Sequence, residues 1–157
     1  MVLRNTVTAA ELRAEGVRAV IAAADAADVT AYGSFATTIE TVAIANSRGI
    51  RAAEARTGSQ LITVSMGPEN GTGYAEAAAV DATTIDAAAL GREAAEAARR
   101  SARPVALEPG DYPVVLAEYA VVDLLDMLGY LGFSALAVEE GRSFYEPGKR
   151  IGSELVS

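Results

Sequence analysis

The chain has 157 residues, enough for one domain or two small ones, and is 51% hydrophobic with 6% aromatics and no Trp, so its core must come mainly from Ala, Val, Leu and Ile. A formal net charge of −8 and the lack of any long basic run argue against nucleic acid, whose phosphates call for clustered Lys and Arg. With no Cys and no His, the chain has no disulfides, no thiolate chemistry, no imidazole base and no zinc site of ordinary composition.

The first ten residues lack the apolar core of a secretory signal, so a cytoplasmic location is the expectation. Thr8 and Glu11 have the spacing of a capping box and predict a helix to about Ala24. Leu12, Ala19, Val20 and Ala23 lie near one face of it, and Gly16 marks a place for close packing. From Asp28 the pattern becomes β. Val29–Phe35, Thr38–Ala45, Ile50–Thr57 and Gln60–Met66 read as four short strands of an antiparallel meander, with Asn46-Ser47-Arg48-Gly49 and Gly58-Ser59 as turns. Gly71 and Gly73 resemble half of a phosphate-binding glycine loop. The third Gly is absent and no Lys follows, so a plain polar loop is the better reading. Tyr74–Val80 adds one more strand, packed with Ala.

Thr83-Thr84-Ile85-Asp86 signals a second helix start, and the Ala-rich run to Arg100 has high helix propensity. Arg99, Arg100 and Arg103 form the densest basic patch, placed where cations complement a helix C-terminus. Pro104 stops the helix. Glu108-Pro109-Gly110-Asp111 fits a type II turn. Tyr112–Ala117 then reads as a strand, an edge one because Pro113 donates no hydrogen bond. Glu118–Leu131 is apolar on most faces, which predicts a buried helix; it is too short to cross a bilayer. Gly148–Ser157 looks like a further strand cut off in mid-pattern, which suggests a fragment of a longer protein or a terminus that pairs with another chain.

The predicted class is α+β: an antiparallel sheet from Val29 to Val80 with helices 8–24 and 86–100 packed on it, then the start of a strand–helix–strand unit. The expected division is 1–107 and 108–157.

Several ordered stretches together resemble the TldD/PmbA family, described as modulators of DNA gyrase and as microcin-processing peptidases. They are Val42–Gly49, Arg56-Thr57, Glu93–Ala98, Leu107–Leu116 and Glu140–Phe144. The resemblance covers the middle of a family member, and the second unit corresponds to the start of its C-terminal domain. It implies a proteolytic system of two related subunit types. One type carries His-Glu-x-x-x-His on a helix just after the strand matching Tyr112–Ala117, with both His binding zinc and the Glu activating water. In this sequence Leu125-Asp126-Met127-Leu128-Gly129-Tyr130 falls on that motif. Leu125 and Tyr130 stand at the His places, Asp126 at the Glu, and Gly129 suits the family's Gly. The chain therefore resembles the PmbA type, which the family implies to be a noncatalytic subunit. Zinc is then expected only in a TldD-type partner.

Three functions follow as expectations. The first is the noncatalytic subunit, partnered by a TldD-type paralogue or by self-association, and meeting peptide substrate through the complex. The second is an independent peptidase. Asp123 and Asp126 share a helix face and could form a carboxylate dyad, as could Glu139 and Glu140. Ser143 and Lys149 could form a nucleophile–base pair. A solvent-facing stripe explains the aspartates more simply. The third is a binding or regulatory module of the gyrase-modulator kind, with no proteolytic role. Arg142 and Ser143 are candidate peptide or partner contacts, with a turn in which Arg142 pairs with Glu139 or Glu140 as the simpler reading.

Overall fold

A long antiparallel hairpin frames the first part of the protein, a computed structural model that describes residues 9–146 and 148–152. Strand β1 (Thr30–Ala45) pairs continuously with β2 (Arg51–Met66), and β3 (Thr72–Ala79) joins the other side of β2, giving the order β1-β2-β3. The four short strands expected from sequence are thus two long ones. Gly58 and Ser59 make no turn: they lie opposite Thr38 and Thr37 within the ladder. A Cβ at Gly58 would meet nothing, so this glycine interrupts packing without breaking the pairing. The turn at Asn46–Gly49 forms as expected. Gly49 takes φ +85°, and the Asn46 side chain accepts from the backbone N–H groups of Arg48 and Ile50.

Helix α1 (Ala9–Ala26) precedes the sheet and α2 (Ala87–Arg100) follows it. Thr8, half of the expected capping box, lies outside the described residues. Asp86 caps α2 by accepting from Ala89 N–H at 2.9 Å, and Asp81 caps the short 3-10 turn Ala82–Thr84 before it. Alternation in the ladder puts Phe35, Leu61, Thr63 and Ala75 on one face. That face meets the helices in a core of Val20, Leu61, Ala75, Ala87, Leu90 and Ala94, continued by Ala24, Val29, Ala95 and Ala98. Leu61 is the largest fully buried apolar side chain, and its burial contributes about 1.5–3 kcal/mol.

With so few large residues, close approach does the filling. A Cβ at Gly73 would stand 2.0 Å from the Ala94 carbonyl oxygen, and one at Gly91 would stand 2.9 Å from the Val20 Cα. Gly71 and Gly73 are thus where β3 runs under α2. The Ser101 hydroxyl ties the two together, accepting from Thr72 N–H and donating to Thr72 O.

These elements belong to one compact unit, Met1–Leu107; Glu108–Ser157 form a second. In the second unit, the expected strand at Tyr112–Ala117 is an irregular extended segment with no ladder partner among the described residues. Its apolar content alone does not make a strand: Val115 is fully exposed, and Pro113 withholds a donor. The expected type II turn before it is also absent, since Gly110 keeps a negative φ; the Tyr112 hydroxyl instead donates to Glu108 O at 2.7 Å. Helix α3 (Glu118–Leu128) continues into a π turn (Gly129–Phe133) and, after Ser134, a short helix α4 (Ala135–Glu139). Contrary to its composition, α3 has no buried residue. The apolar rule says what a helix needs to cover, and among the described residues this unit's other elements are too few and too short to cover it. Residues 148–152 are not strand, and the rest of the expected terminal strand lies outside the described residues.

Candidate functional site

Leu125–Tyr130, the six positions that the resemblance sets against the metal motif, straddle the junction of α3 and the π turn. Leu125, Asp126, Met127 and Leu128 close the α-helix, and Gly129 and Tyr130 open the wider turn. The junction matters geometrically. On a regular α-helix, residues five apart differ by about 140° around the axis and do not share a face. A π turn, with i→i+5 hydrogen bonds, moves the later residue back towards the face of the earlier one. Spacing alone therefore does not put positions 125 and 130 on one face; the π turn is the feature that favours it, and it went unread in the sequence. Its signal there is the pair Gly129 and Gly132.

Gly132 is buried, and a Cβ on it would stand 2.1 Å from the Phe144 ring. Phe144 stacks edge-on against Phe133 at 5.4 Å between centroids. Ser143 fastens the same contact: its hydroxyl donates to Gly132 O at 2.5 Å and accepts from Tyr145 N–H. Ser143 and Phe144 thus support the π turn. Arg142 pairs with Glu140 at 2.5 Å, and Lys149 pairs with Glu146. Ser143 and Lys149 have these other partners and form no nucleophile–base pair with each other. Leu125 and Tyr130 are 56% and 79% exposed, and Asp123 and Asp126 are exposed beside them.

The donor set does not fit zinc. Leu125 offers no donor atom, Tyr130 only a phenol, and Asp126 one carboxylate. Among the described residues, no three Asp or Glu side chains gather to hold a metal. Nor is any helix among them long and apolar enough to cross a membrane.

Helices packed on one face of an antiparallel sheet define the class as α+β. A family profile described as the PmbA/TldA metallopeptidase central domain matches residues 5–102. The chain belongs to this family. No curated protein and no solved structure matches it. The matched span ends close to the C-terminus of α2, so the π-turn region lies beyond it.

Proposed function

We propose that this chain is a noncatalytic subunit of a metallopeptidase of its family, working beside a zinc-bearing paralogue that cleaves unfolded peptides. What supports the reading is the residue set Leu125, Asp126, Gly129 and Tyr130, on the helix that the resemblance sets against the family's metal helix, in a chain without His or Cys. Asp126 lacks a metal-bound water to activate, because the positions that would supply ligands are apolar or phenolic. What remains is a helix rich in exposed Val, Leu and Met, a chemistry suited to contact with another protein surface. Ser143 serves this surface indirectly, by fastening the π turn at Gly132, while Arg142 pairs with Glu140 beside it. A cytoplasmic setting accords with the absence of Cys.

A regulatory module without a proteolytic role, of the gyrase-modulator kind, is the second reading. The exposed α3 favours it as much as it favours the first, since both need a protein partner. Co-purification from the native source separates them. A zinc-containing paralogue recovered with the chain, in fixed ratio, supports the first reading; an unrelated protein in its place overturns it.

A further inference from the structure

We propose that the groove between α1 and the outer edge of β1 binds an extended peptide segment as an added strand. Among the described residues β1 pairs with β2 alone, and its other side presents backbone N–H and C=O groups with no strand partner among them. Helix α1 runs back over β1, with Gly16 against the Phe35 ring and Arg13 at Thr37. Its length is about 27 Å at 1.5 Å per residue, and residues 30–37 of β1 span about 26 Å. Between them lies a cavity of about 130 Å³ whose lining includes Val17, Val20, Ile21, Gly33, Phe35 and Leu61. Space of that order takes a group the size of a benzene ring, hence one Leu or Phe side chain. Val17 and Ile21, one turn apart on the lip, are 41% and 46% exposed. Gly33 leaves the middle of the edge without a side chain, as φ +156° requires here: a Cβ would stand 2.1 Å from Ile62 O. An extended segment added to an exposed sheet edge gains affinity from main-chain hydrogen bonds and specificity from pockets for alternate side chains.

Charge decides the direction and the occupant. Arg13 donates to the Thr37 hydroxyl at 2.5 Å, which fixes a cation at the Thr37 end. Asp25 and Asp28 line a separate depression at the other end of β1, with Val29, Thr30 and residues 66–68. Arg13, Asp25 and Asp28 take no part in the ion pairs formed among the described residues. The dipole of α1 has the same sense, positive towards Arg13 and negative towards Asp25. The segment that fits runs parallel to β1. It carries an amine or Lys at the Thr30 end, one apolar side chain over Gly33, and a carboxylate at the Thr37 end. This holds whether or not the chain works beside a zinc-bearing subunit, and the test below involves no cleavage.

The full chain is titrated with a heptapeptide of Ser and Gly carrying Lys first, Leu at the centre and Glu last. Binding is read by fluorescence anisotropy and amide exchange. The expected result is saturable binding with new protection at amides within 31–37. It weakens about tenfold when the two charges are exchanged, and it is lost when the central Leu becomes Ser. Ile21→Asp should abolish binding with the unfolding midpoint unchanged. Asp25→Lys, a surface change at the Thr30 end, should weaken the charge preference, leaving the part that Arg13 supplies. Equal binding of the two charge arrangements, protection elsewhere, or no binding overturns the proposal.

Discussion

Thr63 and Ser65 give the sharpest test of the core. Both are 1% exposed, both face the helices, and neither hydroxyl oxygen has a hydrogen-bond partner. A buried hydroxyl without compensation costs about 1–3 kcal/mol in proteins. Val matches Thr in shape, so Thr63→Val removes that cost without opening a cavity. Its neighbours across the ladder are Gly33 and Ala75, which leave a methyl group in the place of the hydroxyl unobstructed. The expected gain is about 1–2 kcal/mol, with about 1 kcal/mol more for Ser65→Ala. For a unit of this size, 1 kcal/mol shifts the melting temperature by about 4–8 °C. Urea unfolding followed by circular dichroism is the assay, and the midpoint should rise at constant slope. A loss of about 1 kcal/mol on Thr63→Val, the usual cost of a broken hydrogen bond, would refute the reasoning.

Other substitutions test separate parts. Gly73→Ala forces a Cβ against the Ala94 carbonyl and should cost about 1–3 kcal/mol, whereas Gly58→Val, in open space on a continuous strand, should be neutral or stabilising. A loss at Gly58 in the same urea measurement would mean that a turn exists there after all. Asp86→Ala removes the cap of α2 and should cost about 0.5–2 kcal/mol. Leu125→Ala should change the isolated chain's stability by no more than about 0.5 kcal/mol, because the residue is exposed. A cost of about 2–5 kcal/mol, normal for a buried Leu, would show instead that α3 is covered in the isolated chain.

The first unit was largely legible because its signals are local and agree with one another. Asp86 caps, Asn46 and Gly49 turn, and Ala-rich α2 all do in the structure what their chemistry implies. Gly16, read as a close contact, has the Phe35 ring 2.8 Å from where its Cβ would be. Strand length was harder to read. Gly58 has the appearance of a turn residue, yet cross-strand register from Thr30↔Met66 to Ala45↔Arg51 carries pairing past it. Gly71 and Gly73 hinted at phosphate, but glycine spacing cannot distinguish a ligand from a neighbouring helix backbone. In the second unit, apolar composition implies burial only where partners exist, and composition does not supply them: α3 buries no residue. Gly129 and Gly132 are the local pointer to the π turn, whereas the contact between Gly132 and Phe144 that supports it is tertiary.

The most direct measurement is cleavage of an unfolded peptide by the purified chain supplied with zinc, by a zinc-bearing family paralogue, and by the two mixed, each with and without chelator. The noncatalytic reading predicts no cleavage by the chain alone, and chelator-sensitive cleavage by the mixture above that of the paralogue. Cleavage by the chain alone, whether or not chelator stops it, would contradict it.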